Sequence, residues 1–110
     1  MVATIDLVDE TEVCSVTTGC LQDHRSWIFM PNSVAVFGSN DGEYFALLGK
    51  TDNDIVQKTS GSVLKDFKVT FKPQKFRYIK IVDDNIVKCP DWHNGKNQGA
   101  YLFVDEIIVE

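Results

Sequence analysis

The sequence lacks the features that bind nucleic acid or cross a membrane. Its formal net charge is -5, so no basic field attracts phosphates. No apolar run approaches the ~18 residues that span a bilayer. The opening stretch MVATIDLVDE has neither the basic region nor the apolar stretch of a targeting signal. We therefore expect no nucleic-acid or membrane partner, and an export signal would have to lie outside this chain.

Cysteine is also scarce, and the three residues present do not form a disulfide framework. Cys14 and Cys20 lie in one strand-like segment, where their Cα atoms would be roughly 20 Å apart. A disulfide requires less than about 7 Å. The interpretation is buried free thiols, with a bridge between Cys20 and Cys89 left open.

Constellations that carry out catalysis or bind metal are missing as well. His24, His93 and the cysteines are scattered singly, whereas a zinc site needs three or four ligands at short spacing. Cys89 and His93 lie close in sequence without the context of a nucleophilic triad, and no glycine-rich phosphate loop is present. The sequence predicts no cofactor and no metal.

The residues that are present favour short β-strands. Segments 3–7, 13–21, 33–39, 40–49, 65–71, 76–82 and 101–110 are rich in Val, Ile, Thr and aromatics. Asn40, Asp41 and Gly42 predict a tight hairpin. About seven strands in 110 residues point to one all-β domain, residues 1–110, built as an antiparallel β-sandwich or barrel.

The strand patterns give more specific expectations. Phe67, Val69 and Phe71 alternate onto one face, with Lys65, Lys68 and Thr70 near the other. Ile79 and Ile81 share a face of the next strand. Pro73 should end the strand before it, because proline cannot donate to a ladder.

Two stretches combine aromatic and hydrogen-bonding residues. An indole ring stacks on the apolar face of a sugar while neighbouring polar groups bind its hydroxyls, so these stretches predict a carbohydrate site. A purely structural interpretation stays open for each tryptophan, with Trp27 packed in the sandwich end and Trp92 packed in a loop corner. The candidate carbohydrate-binding residues are His24, Arg25, Trp27, Trp92, His93, Asn94 and Lys96.

Four longer segments resemble the discoidin, or coagulation factor type C, domain. They are DLVDETEVCSVTTGCLQD, PNSVAVFGSNDGEYFALLG, KVTFKPQKFRYIKIV and AYLFVDEIIVE. More narrowly, DHRSWIFMPNSV, PDWHNG and LFVDEI are similar to the C-terminal module of bacterial β-N-acetylhexosaminidases of glycoside hydrolase family 20. The resemblance implies a galactose-binding-domain-like jelly roll, cut at its N-terminus, that is non-catalytic and binds a glycan through loops at one end.

The resemblance also implies a context. The parent chain would be a periplasmic or extracellular glycoside hydrolase whose catalytic pair lies in another domain, and the glycan would contain N-acetylhexosamine or galactose. Glu106 matches a position that helps to hold calcium in the family, but the other ligands are absent, so no metal is expected. The alternative is a structural spacer that packs against its own catalytic domain. Loss of the first strand would expose a sheet edge, which predicts a homodimer.

Overall fold

The described residues form one open antiparallel sheet of five strands. The computed structural model describes residues 2–23, 26–53, 61–84, 92 and 102–110. The strands run in the order β3-β2-β4-β1-β5 across the sheet. Among the described residues, no helix is long and apolar enough to span a membrane. The strands are β1 (Val2–Gln22), β2 (Ser33–Ser39), β3 (Ala46–Asp52), β4 (Val63–Asp84) and β5 (Phe103–Val109).

The prediction of an all-β antiparallel fold is confirmed, but the prediction of about seven short strands is wrong. Segments 3–7 and 13–21 belong to the single strand β1, and segments 65–71 and 76–82 belong to β4. These two strands have 21 and 22 residues, against a usual length of about 5–6. They pair antiparallel from Val2 opposite Val82 to Gln22 opposite Val63. The described residues form five strands, because what the sequence shows as separate segments are the halves of two long ones.

Pro73 does not end a strand, and the register explains why. Val13 lies opposite Gln74 and Ser15 lies opposite Thr70, so residues 71–73 face only residue 14. A proline in this irregular stretch removes no regular ladder hydrogen bond, because the register is already broken there. The second interruption lies close by, where residues 7–10 of β1 are inserted between the pairs at Asp6 and Thr11.

The sheet curls, so that β3 approaches the first half of β4. β3 pairs with β2, yet the Thr51 hydroxyl donates to the Lys68 carbonyl on β4 at 2.8 Å. A Cβ built on Gly49 would lie 2.6 Å from Cγ1 of Val69. Gly49 lies opposite Val36 of β2 in the ladder. Its contact with Val69 of β4 is therefore not a contact between paired strands. Glycine is required here for space and not for an unusual backbone conformation.

The core contains alternating residues of β4. Ile79 and Ile81 are fully buried, and so is Phe67, while Val69 is 3% exposed, which confirms the predicted alternation. Lys65 is a correction, since it lies on the same side of β4 as Phe67 and its Nζ is 5.2 Å from the centre of that ring. The buried apolar cluster comprises Val13, Val16, Cys20, Met30, Val34, Val36, Phe67, Val69, Phe76, Ile79 and Ile81.

The predicted hairpin joins β2 to β3 and is confirmed. Gly42 has φ 77°, the left-handed conformation that glycine adopts without strain. The carboxylate of Asp41 accepts hydrogen bonds from the backbone N–H groups of Glu43 and Tyr44, both at 2.9 Å, and from the Ser39 hydroxyl at 3.0 Å. The N–H of Tyr44, followed by that of Glu43, holds the pKa of Asp41 below its usual value. The connection spans residues 40–45, longer than a two-residue turn.

The cysteine predictions are settled in part. Cys14 and Cys20 both lie on β1 and do not pair with each other, as expected. Cys20 is buried, whereas Cys14 is only half-buried, because it faces the irregular stretch of β4. Cys89 lies outside the described residues, and so does the question of a Cys20–Cys89 bridge.

Candidate carbohydrate site

Three connections leave the sheet at the same end. Residues 23–32 follow β1, residues 53–62 follow β3, and residues 85–102 follow β4. Backbone hydrogen bonds tie the first connection to the ends of the others, from Asn32 N to Asp84 O at 2.6 Å and from Asn53 N to Asn32 O at 2.8 Å. Of the predicted binding residues, Trp27 and Trp92 are described, and the first connection contacts Trp92 through Phe29 at this loop end. The hairpin at residues 40–45 lies at the opposite end of β2.

The connection after β1 begins with a closed loop. Asp23 and Ile28 form an isolated β-bridge, with N···O distances of 2.9 and 3.0 Å. The N–H of Ser26 also donates to the Asp23 carbonyl at 3.0 Å. These bonds fix the base of a four-residue loop that carries Trp27. Backbone hydrogen bonds thus hold Ser26 and Ile28 close to Asp23.

Trp27 is held in an unfavourable backbone conformation. Its φ is 63°, in the left-handed region that costs a non-glycine residue about 1–2 kcal/mol. Its side chain is half-buried and does not belong to the core cluster. Strain of this kind persists only where surrounding structure enforces it, and it concentrates at binding sites. Trp27 is therefore partly packed and partly accessible, and its packing in a sandwich end stays a prediction.

Trp92 packs against the first loop. Its ring and the ring of Phe29 have centroids 6.3 Å apart at an interplanar angle of 74°, an edge-to-face arrangement. Phe29 is 2% exposed, whereas Trp92 is half-buried. Trp92 is therefore partly packed, because its ring is anchored on Phe29. An anchored indole with part of its surface accessible combines both earlier interpretations of this residue.

Sequence reasoning missed Asp23. Its Oδ2 atom lies 3.4 Å from the hydroxyl of Ser62 and 3.5 Å from that of Ser26, so it bridges two of the three connections. The carboxylate is half-buried and adds hydrogen-bond acceptors to the loop end. Its position directly before His24 was the only signal in the sequence, and the contact with Ser62 spans 39 positions.

A second carboxylate is buried near the same end. Asp83 is 4% exposed and lies opposite Val34 in the ladder. Burial raises the pKa of Asp83. The next residue, Asp84, is exposed, so the two neighbouring carboxylates lie in different environments.

The remaining predicted residues have different outcomes. His24, Arg25, His93, Asn94 and Lys96 lie outside the described residues. Glu106 is exposed on β5, opposite Gly19. Across the described ranges, no group of three or more His, Cys, Asp or Glu side chains could hold a metal ion.

Comparison with known proteins gives no family assignment. No protein-family model matches the chain, and no curated protein matches it.

Proposed function

We propose that this chain is a non-catalytic carbohydrate-binding module of the discoidin type. Its ligand is a glycan with N-acetylhexosamine or galactose units. The observation that carries the proposal is the edge-to-face contact between Phe29 and Trp92, which joins the two aromatic stretches at one end of the sheet. Each stretch contributes one tryptophan, and both indoles are half-buried.

The chemistry of the loop end suits a sugar. A pyranose presents apolar C–H faces to indoles and hydroxyls to polar acceptors. Trp27 and Trp92 supply the indoles, and Asp23 supplies a carboxylate between Ser26 and Ser62. A shallow site of this kind buries little ligand surface, so the expected Kd is on the order of 0.1 to 1 mM.

The architecture implied by this proposal is a two-layer β-sandwich of the jelly-roll type. The curl of the sheet supports this architecture, since Gly49 of β3 is in contact with Val69 in the first half of β4. In the same proposal the module belongs to a periplasmic or extracellular β-N-acetylhexosaminidase whose catalytic residues lie in another domain. The alternative function is a structural spacer, favoured by the packing of Trp92 on the buried Phe29.

Tryptophan fluorescence tests the proposal directly, because Trp27 and Trp92 are the two tryptophans of the chain. Titration with N-acetylglucosamine, chitobiose and galactose should give a saturable change in emission. Trp92→Phe and Trp27→Phe each leave one reporter and show which indole senses the sugar. Trp92→Ala should remove binding, measured by calorimetry or by chemical-shift titration.

A matched control is Tyr44→Ala. Tyr44 is 82% exposed and lies on the hairpin at the other end of β2, so its loss should leave sugar binding unchanged. If Trp92→Ala and Trp27→Ala both retain wild-type affinity, the site is misplaced. If no sugar binds the wild-type protein at millimolar concentration, the spacer function replaces the proposed one.

A further inference from the structure

The free edges of the sheet differ in how they are protected. β3 and β5 are the two outermost strands. Each carries a register shift, between Val36 and Phe37 in the β2–β3 ladder and between Gly19 and Cys20 in the β1–β5 ladder. Such bulges twist an edge away from further pairing. Each of the two outermost strands therefore has an irregularity that disfavours pairing with a further strand.

A third edge lies on the first residues of β1. β5 pairs with β1 only over Val16–Leu21, so within the described residues Val2–Asp6 pair with β4 alone. The register from Val2 opposite Val82 to Asp6 opposite Tyr78 has no interruption. The segment contains no proline, no glycine and no charge before Asp6. Within the described part of the chain it is a regular edge of β-favouring residues without a proline, a bulge or a neighbouring strand to protect it.

The exposure of the side chains is consistent with an open edge at Val2–Asp6. Ile79, opposite Ile5 on β4, is fully buried, and so is Ile81, opposite Ala3. Ile5 and Ala3 are only half-buried, although they occupy the same core-facing rows. The loss of burial from β4 to β1 marks the side where the apolar rows end, and no strand of the described residues covers them there.

We propose that the Val2–Asp6 edge pairs with the same edge of a second copy of this chain. A two-fold axis through Thr4 makes the strands antiparallel and keeps both cores on one side of a continuous sheet. Thr4 then faces Thr4 of the partner, a cross-strand pair that can hydrogen-bond. Val2 faces Asp6 of the partner, and the Asp6 carboxylate is already neutralised within its own chain by Arg77 at 3.0 and 3.2 Å.

The interface is small, and this fixes its strength. A ladder of five residues per copy is well below the area of a permanent dimer, so the Kd should be on the order of 10 to 100 µM. This interaction does not depend on sugar binding, because the edge is formed by β1 and β4 and contains neither tryptophan.

Sedimentation equilibrium with charge variants tests the inference. Thr4→Lys places two ammonium groups opposite each other and should weaken the dimer by about tenfold or more, with partial recovery at high salt. Thr4→Val keeps a β-favouring side chain and should retain it. The matched control is Thr70→Lys, which introduces the same charge at an exposed position of β4 away from the edge, and should leave the Kd unchanged.

Amide hydrogen exchange on the wild-type protein gives an independent measurement. Protection of amides within Val2–Asp6 should rise with protein concentration, while the hairpin at residues 40–45 stays unchanged. A protein that stays monomeric at concentrations up to and above the expected Kd overturns the proposal. A dimer that Thr4→Lys leaves intact also overturns it and locates the contact on another surface, for which Leu47→Lys on the exposed side of β3 is the corresponding variant.

Discussion

The contact between Gly49 and Val69 gives the most decisive test of the fold. A Cβ on Gly49 would lie 2.6 Å from Val69 Cγ1, and no other heavy atom of the described residues lies within 4 Å beyond its chain neighbours. Gly49→Ala therefore adds one methyl group against one side chain. Overpacking of this kind costs about 1–3 kcal/mol, partly offset by about 0.4–1 kcal/mol from the stiffer unfolded chain. We expect a net loss of about 1–2 kcal/mol in the free energy of unfolding.

The double variant isolates the contact. Val69→Ala alone removes two buried methyl groups and should cost about 2 kcal/mol. In Gly49→Ala/Val69→Ala the new methyl enters the space that Val69 vacates, so the combined loss should be smaller than the sum by about 1 kcal/mol or more. Urea denaturation measures this coupling, with a constant m-value as the check that the transition stays two-state.

Val36→Ala provides the matched cycle. Val36 is the ladder neighbour of Gly49, but none of its atoms lies within 4 Å of the built Cβ. Its combination with Gly49→Ala should be additive within about 0.5 kcal/mol. If the Val69 cycle is equally additive, β3 does not pack on that part of β4 and the reasoning about the curled sheet fails.

Two further predictions concern charge and metal. Because burial raises the pKa of Asp83, the stability associated with its protonated form is complete below the unfolded pKa of about 3.9 and is lost as the pH rises through the folded value. Asp83→Asn should therefore raise the melting temperature at pH 7 and lose that advantage in acid, and a lower melting temperature at pH 7 would contradict the assignment. The melting temperature should be the same in calcium as in chelator. Calcium takes six to eight oxygen ligands, and one exposed carboxylate, that of Glu106, supplies too few of them. A tight site would instead add about 2.7 kcal/mol at a hundredfold excess over its Kd.

Local chemistry in the sequence was sufficient to predict local structure. Asp41 and Gly42 act within a few residues of each other, so the hairpin follows from their side-chain and backbone preferences. The alternation that buries Phe67 and Ile79 follows from the period of a strand.

Features set by distant residues could not be predicted in this way. Pro73 looks like a strand end unless the opposite strand is known to be out of register there. Lys65 is a different case, because the strand period alone places it on the side of Phe67 and its charge led to the wrong face. The loop end depends on contacts such as Phe29 with Trp92 and Asp23 with Ser62, whose partners are far apart in sequence.

The long β1–β4 ladder has a consequence for how the chain acquires its structure. Its partners are separated by about 40 to 80 positions in sequence, and such distant pairing is slow because a large loop must close before any contact forms. The β2–β3 hairpin lies inside that loop and can form first. During synthesis at about 5–20 residues per second, β1 emerges several seconds before Asp84 completes its partner. For that interval β1 is a long, unpaired and β-prone segment, and shielding it from other nascent chains is a requirement of making this protein.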